Sequence, residues 1–310
     1  MVKKIALKLV LFLALLLVLD RAIAAMISDA VIVRQYDTRI EKIMETEMNY
    51  DILVFGSSRA ARNIRLAEIT KTTGLSAFNL GFPGADIDYH EDILRLVVEA
   101  GNKPKKILFV ADDNFEVSIH PAINFRIDTF YPFLKYRKVA DIICERGIKE
   151  CIPTYVSHSY TQNINLNEAI AYYKEGPLQP DALNNIQTDG SMPIEIKSDD
   201  FAQMTYDDSS RIYDKSKESP LLLDEFAKFI TLCDDNDIEL IILFPPCYKK
   251  PTIGFKERII ELAGENRRFL DFADTPEFRE KELYYDQNHL DDAGSLLFSK
   301  TLAKELQKEL

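Results

Sequence analysis

Short apolar runs alternate with stretches of helical periodicity in two parts of the chain. The apolar runs predict five strands, at residues 51–55, 76–81, 105–110, 238–244 and 268–272. The other stretches have apolar positions three or four residues apart and predict helices, at residues 59–73, 86–100, 221–236, 255–263 and after 294. Strands that alternate with helices at this short spacing predict a parallel sheet with right-handed crossovers. The predicted fold class is α/β, a three-layer α/β/α sandwich with a five-stranded parallel sheet.

The middle of the chain interrupts this alternation. Residues 115–218 contain no regular succession of strands and helices, and residues 176–210 are rich in Pro, Asn, Asp and Ser, as loops are. An insertion of this size between the third and fourth strands would lie over the carboxyl ends of the strands. We interpret it as a cap that shapes a pocket, within a domain that spans residues 51–310.

The N-terminus combines positive charge with a long apolar run. Lysines stand at positions 3, 4 and 8, and residues 9–19 that follow are all apolar. We expect residues 1–27 to form an uncleaved signal anchor, with a cleaved signal peptide as the alternative. The positive charges before the run predict that the N-terminus stays in the cytoplasm and that the body of the protein is exported. Residues 28–50 then have the spacing of an amphipathic juxtamembrane helix.

Charge and cysteine content narrow the range of partners. The formal net charge is −12 at pH 7, which argues against a nucleic-acid partner. The four cysteines, at positions 144, 151, 233 and 247, lack the spacing of a metal site, and we expect neither a metal nor another cofactor. An exported location permits a disulfide between Cys144 and Cys151, but the sequence leaves their pairing open.

Residues suited to acyl transfer follow the first and last predicted strands. The first strand leads into Gly56-Ser57-Ser58, and Asp286 precedes His289 by three residues, so its carboxylate can reach the imidazole. Because the carboxyl ends of parallel strands share one edge of a sheet, Ser58 and His289 can meet there. The chain order Ser, Asp, His is one in which catalytic triads are assembled.

Two further residues at this edge can donate hydrogen bonds to an oxyanion. Gly84 follows the second strand and offers a backbone N–H, and Asn114 follows the third and offers a side-chain amide. The N–H of Ser58 itself, at a helix start, is a third candidate donor. Arg59 can either bind an anionic group of a substrate or form an ion pair.

These segments resemble the four sequence blocks of the SGNH (GDSL-type) hydrolases. They occur in the family's order, as Gly56-Ser57-Ser58-Arg59, Asn79-Leu80-Gly81-Phe82-Pro83-Gly84, Ala111-Asp112-Asp113-Asn114 and Asp286-Gln287-Asn288-His289. The resemblance covers residues 51–114 and about 220–310, and it implies a flavodoxin-like sheet order. It also implies that Ser58, Asp286 and His289 form the triad, and that Ser58, Gly84 and Asn114 hold the oxyanion. The chain departs from the family pattern at Ser57, where an acidic residue is usual, and in the third block, which lacks its glycine.

The resemblance implies ester chemistry outside the cytoplasm. A signal anchor followed by Gly-Ser-Ser is similar to the membrane-anchored branch of the family, whose members act on cell-envelope polymers. The expected function is a serine esterase or deacetylase, with an acylated envelope glycan or a small ester as substrate. One alternative is an O-acyltransferase, in which a sugar hydroxyl replaces water as the acceptor. Another is a non-catalytic envelope protein that keeps the fold to bind or assemble glycan.

Overall fold

A computed structural model describes residues 2–35, 37–45, 48–112, 117–161, 170, 173–174, 183 and 185–308. The fold is α/β, and its centre is a five-stranded sheet in which every neighbouring pair is parallel. The strands are β1 (Ile52–Gly56), β2 (Ala77–Asn79), β3 (Lys106–Val110), β4 (Glu239–Phe244) and β5 (Arg268–Asp271), in the order β2-β1-β3-β4-β5. The predicted five-stranded parallel sheet is confirmed.

The helices of the part of the chain that carries the sheet follow the predicted alternation. They are α3 (Ser58–Asn63), α4 (Leu66–Thr73), α5 (Ile87–Glu99), α9 (Pro220–Asp235), α10 (Phe255–Ala263) and α11 (Asp292–Gln307). Other α-helices among the described residues are α1 (Val2–Gln35), α2 (Thr38–Met44), α6 (Arg137–Glu145), α7 (Ile148–Val156) and α8 (His158–Thr161). Proline begins α9 at its first position, where a missing N–H costs nothing, and Ser219 caps that helix by accepting a hydrogen bond from Leu222 N.

Both faces of the sheet are buried, because successive strand residues point to opposite sides. On one face, Val54 and Leu108 belong to a core that includes Phe298 and Leu302 of α11. On the other face, Phe55 and Phe109 pack their rings against Phe229 of α9, with centroids 5.4 and 5.3 Å apart. Apolar side chains on both faces explain why the strands read as continuous apolar runs rather than as alternating ones.

The helix predicted at residues 59–73 is two helices. The chain is extended at Ile64 and Arg65, which separates α3 from α4. At this break Asn63 Oδ1 accepts a hydrogen bond from Leu290 N at 3.1 Å, and Arg65 N donates to Ser299 Oγ at 2.7 Å. The long-range hydrogen bonds to Leu290 and to α11 therefore compensate for the intrahelical bonds that are lost. A local pattern of apolar positions contains no information about such partners.

The chain divides into two compact units. The first, the anchor unit, comprises Met1–Glu41 and Arg126–Gln179, and the second, the α/β unit, comprises Lys42–Phe125 and Pro180–Leu310. The predicted cap at residues 115–218 is thus shared between the two units. Its later part is bound to the α/β unit, where Asn79 N donates to Asp189 O and Tyr213 N donates to Ile253 O, at 2.9 and 2.8 Å.

The anchor unit contains the N-terminal helix and the helices that follow residue 126. Within α1, residues Val2–Ile27 are long and apolar enough to cross a membrane. The helix continues to Gln35, beyond the predicted anchor, and the short α2 occupies part of the predicted juxtamembrane segment. Cys144 and Cys151 form a disulfide that links α6 to α7, which answers the pairing question that the sequence left open.

Gly56 provides a test of how tightly the end of β1 is packed. Its φ is +127°, and a Cβ added there would lie 2.6 Å from Val110 O of β3. We expect Gly56→Ala to destabilise the protein by about 3 kcal/mol or more, because backbone strain and overpacking add. The matched control is Gly101→Ala, where φ is +86° and no atom lies within 4 Å of the added Cβ, so that only the strain contributes. Urea unfolding measures both, and equal losses would contradict a steric role for Gly56.

Candidate active site

Ser58 lies where β1 turns into α3. Gly56 ends the strand, Ser57 precedes the helix, and Ser58 is its first residue. Ser57 O accepts a hydrogen bond from Ala61 N at 3.1 Å, which fixes the first turn of the helix. This strand–turn–helix places the Ser58 side chain at the carboxyl edge of the sheet, as the apolar run and the small residues after it predicted.

His289 belongs to a loop, residues 284–290, that precedes α11. The loop closes on itself through a bridge between Tyr284 and Leu290 and through a hydrogen bond from Tyr285 N to His289 O, 2.9 Å long. Its outer part is held by a hydrogen bond from Tyr248 N to Gln287 O, also 2.9 Å long. The imidazole therefore projects from a loop that is anchored on both sides.

The Asp286 carboxylate contacts the imidazole of His289 at Nδ1. Its two carboxylate oxygens lie 3.0 and 2.9 Å from His289 Nδ1, and Oδ1 also accepts hydrogen bonds from the backbone N–H groups of Asn288 and His289, at 2.7 and 2.9 Å. Burial acts to raise the pKa of Asp286, but the hydrogen bond and charge of His289 and the two N–H donors outweigh it and hold the pKa below its usual value. Asp286 is thus a carboxylate at neutral pH.

The other nitrogen of the imidazole reaches the serine. His289 Nε2 lies 2.7 Å from Ser58 Oγ, within hydrogen-bond distance. A carboxylate at Nδ1 favours the tautomer with its proton there, which leaves the Nε2 lone pair to accept the Ser58 O–H. The structure therefore brings together all three residues of the predicted triad, and the arrangement can remove a proton from the serine oxygen as it attacks.

Of the two predicted oxyanion donors besides Ser58, the structure describes Gly84 but not Asn114. Gly84 lies in the turn after β2, the strand that neighbours β1. Its φ is +75°, and its carbonyl accepts a hydrogen bond from Asn124 N at 2.9 Å. Asn114 lies outside the described residues. The segment before Gly84 is tied to the serine turn, since Phe82 N donates to Gly56 O at 3.0 Å.

Asn79, the first residue of the second block, connects this block to the nucleophile helix. Its fully buried side chain donates from Nδ2 to Ala60 O and accepts at Oδ1 from Gly81 N, both at 2.8 Å. The sequence alone assigns Asn79 no role of its own. Its polar side chain at the end of a buried strand is the signal that could have identified it, because a buried amide requires hydrogen-bond partners.

Asp112 is a second residue whose part in the site the sequence did not predict. Its carboxylate accepts a hydrogen bond from the Ser57 hydroxyl and forms an ion pair with Arg59, and both charged side chains are less than 10% exposed. Arg59 thus adopts the second of its two predicted roles, the ion pair. The family pattern that the sequence resembles has an acidic residue at the position of Ser57, and here Asp112, just after β3, brings a carboxylate to the Ser57 hydroxyl from another strand.

A cavity of about 370 Å³ adjoins this buried ion pair. Arg59 and Asp112 line it together with the ends of β4 and β5 and the loop after β4, which contributes Pro245 and Cys247. Lysines 249, 250 and 256 also border it. The cavity lies at the carboxyl edge of the sheet, where α/β proteins bind their ligands.

Comparison of the chain with known protein families and with curated protein sequences finds no match to either. Among the described residues, no cluster of His, Cys, Asp and Glu side chains has the composition of a metal site. The resemblance to SGNH hydrolases therefore rests on the four sequence blocks alone, and any inference about chemistry has to rest on the geometry of Ser58, His289 and Asp286.

The ion pair beside the nucleophile can be weighed with a double-mutant cycle of Arg59→Ala and Asp112→Ala. We expect each single change to cost about 3 kcal/mol or more of unfolding free energy, because each leaves a buried charge without this partner. The double variant should lose clearly less than the sum, with a coupling of at least about 1 kcal/mol.

The control for that cycle is the surface pair of Arg279 and Asp274, 2.8 Å apart with side chains 57% and 62% exposed. Its coupling should lie below about 1 kcal/mol, because water and salt screen exposed charges. Similar couplings for the two pairs in urea unfolding would show that burial adds nothing to the contact between Arg59 and Asp112.

Proposed function

We propose that the protein is a serine-dependent acyl-ester hydrolase, with Ser58 as nucleophile, His289 as general base and Asp286 as the residue that orients His289. The observation that carries this proposal is the distance of 2.7 Å between Ser58 Oγ and His289 Nε2, with Asp286 at the opposite ring nitrogen. Binding of glycan alone would not require an imidazole on a serine oxygen, so the geometry favours catalysis over a purely binding role.

The reaction would proceed in two steps. Ser58 Oγ attacks the ester carbonyl while His289 Nε2 takes its proton, and the same proton then passes to the departing alcohol. In the second step a water molecule gives a proton to His289 Nε2 and attacks the acyl carbon, the bond to Ser58 Oγ breaks, the carboxylic acid leaves, and His289 returns the proton to Ser58 Oγ. In both steps the N–H groups of Ser58 and Gly84 and the amide of Asn114 would stabilise the oxyanion, as the family resemblance implies.

The arrangement of the sheet supports membership of the SGNH fold class. Helices pack on both of its faces, which is compatible with a three-layer α/β/α sandwich, and the described parts of the four blocks follow β1, β2, β3 and β5. Since β1, β2 and β3 are neighbours, their blocks share one edge of the sheet. The order β2-β1-β3-β4-β5 is that of flavodoxin-like sheets.

The proposed place of action is outside the cytoplasm, with the protein held to the membrane by α1. The apolar segment Val2–Ile27 supports an anchor, and the lysines before it favour a cytoplasmic N-terminus. The disulfide between Cys144 and Cys151 suits an oxidising compartment. An acylated envelope glycan is the substrate class implied by the family, and the cavity beside Arg59 offers room for part of it.

A fluorophosphonate probe, which reacts with activated serines, tests the nucleophile. We expect the full-length protein to be labelled at Ser58 and the Ser58→Ala variant to show no labelling. Ser57→Ala is the matched control, because Ser57 is the neighbouring hydroxyl but is directed at Asp112. Labelling that survives Ser58→Ala, or that never occurs on folded protein, would refute the assignment.

Asp286→Asn tests how the imidazole is positioned. The amide can donate a hydrogen bond to Nδ1 and so favour the wrong tautomer, and we expect kcat for a small aryl ester to fall by about three to four orders of magnitude with little change in KM. A fall of less than tenfold would show that Asp286 does not act through His289.

In the same assay, transfer of the acyl group to added glycan rather than to water would identify the O-acyltransferase alternative.

A further inference from the structure

The N-terminal helix carries one acidic residue within its apolar segment, and that residue is bound to another helix of the anchor unit. The Asp20 carboxylate accepts hydrogen bonds from the hydroxyl of Ser157 at 2.6 Å and from the backbone N–H groups of His158 and Ser159 at 2.8 and 3.1 Å. The Ser159 hydroxyl adds a fourth hydrogen bond. Asp20 of α1 therefore caps the start of α8.

Arg21, the next residue of α1 after Asp20, contacts the end of α7. Arg21 Nη1 donates to Val156 O, the last carbonyl of α7, at 3.3 Å and pairs with Asp20 at 2.8 Å. At its other end, α7 is joined to α6 by the disulfide between Cys144 and Cys151. The bond from Arg21 sets the position of the end of α7 along the N-terminal helix, and the disulfide joins the first turns of α7 to α6.

These contacts lie near the far end of the apolar segment. Asp20 is 18 residues beyond Val2, so it lies roughly 27 Å along the helix at 1.5 Å per residue. The hydrocarbon core of a bilayer is about 30 Å thick. With the basic N-terminus at one membrane surface, the end of α7 is expected at the opposite one.

The outward side of α7 is apolar. Ile148, Ile152, Tyr155 and Val156 lie at helical spacing on one face, and their exposed fractions are 72%, 54%, 59% and 50%. Thr154 on the other face is 6% exposed and faces the protein. A surface helix of a soluble globular protein instead buries its apolar face against the core and exposes its polar face to water.

We propose that this face of α7 lies in the outer interface of the membrane that α1 crosses, with its apolar side chains among the lipid acyl chains. The inference rests on the proposed membrane placement of α1, and it adds a second attachment. Tyr155 suits such a position, since tyrosine is enriched where acyl chains meet head groups. Lys149 and Glu150 give α7 one charge of each sign, so apolar burial rather than attraction to anionic lipid drives the contact.

Two attachments would fix the rotation of the anchor unit at the membrane. A single spanning helix is free to rotate about its own axis, whereas α7 in the interface holds α1 at one angle. The four hydrogen bonds at Asp20 transmit this constraint from α7 and α8 to α1.

The absence of tryptophan from the chain allows a direct test. Full-length Ile152→Trp is reconstituted into phosphatidylcholine vesicles with brominated acyl chains, which quench tryptophan that touches them. The control is Ile212→Trp, an exposed isoleucine of the α/β unit that is 77% accessible. We expect quenching of Ile152→Trp to exceed that of Ile212→Trp by about threefold or more, with emission at shorter wavelength.

A second substitution separates lipid contact from other causes. Ile148→Glu, added to Ile152→Trp, places a charge on the same exposed face and should reduce the quenching to the level of the control, while circular dichroism stays unchanged. Equal quenching of the two tryptophans in vesicles that float with the protein would overturn the proposal for α7 but not the anchor. Protein that fails to float would overturn the anchor and the α7 proposal together, and neither result bears on Ser58.

Discussion

The contact between Ser58 and His289 depends on hydrogen bonds that join the first helices of the α/β unit to its last loop and helix. Asn63 Oδ1 receives the N–H of Leu290, the residue next to His289, and the Arg65 guanidinium donates to Ser295 Oγ at 2.8 Å. These bonds form where the chain breaks between α3 and α4. In a continuous helix Arg65 N would donate to a carbonyl of that helix instead of to Ser299 Oγ, and the side chains of Asn63 and Arg65 would take other directions, so the His289 loop would lose its attachment beside Ser58.

The contact between Ser58 and His289 also requires that backbone segments pass very close to each other at this edge of the sheet. A Cβ on Gly81 would lie 2.6 Å from Ala61 N, so the segment after β2 can pass against α3 only because Gly81 has no side chain. At Gly294 a Cβ would collide with Leu283 O, which holds the start of α11 against the loop that carries His289. The two glycines thus allow the segment that leads to Gly84 to lie against α3 and the loop that carries His289 to lie against the start of α11.

The sequence could predict the strands and the pairing of Asp286 with His289 because both depend on local patterns, whereas the approach of Ser58 to His289 was inferred from the edge that parallel strands share. A strand buried on two faces is a continuous apolar run, and Asp286 and His289 are near neighbours in a single loop. The break at Ile64 and the ion pair between Asp112 and Arg59 could not be predicted in this way. Their causes are partners 53 or more residues away, as the contacts of Arg59 with Asp112 and of Arg65 with Ser299 show. Local periodicity is unaffected by such partners, and Asp112 in particular has the sequence context of an ordinary loop acid.

Asp20 illustrates the same principle at the N-terminus. In the sequence it ends an apolar run, and a carboxylate within a membrane segment is expensive unless donors surround it. The structure supplies four donors from residues 157–159 of the same unit, so the charge has partners and does not depend on water. Such donors allow an acidic residue to lie within an apolar helix, and they attach the segment that provides them to that helix. Residues 157–159 are therefore bound to the N-terminal helix by hydrogen bonds to a charge, and the disulfide joins the helix before them, α7, to α6.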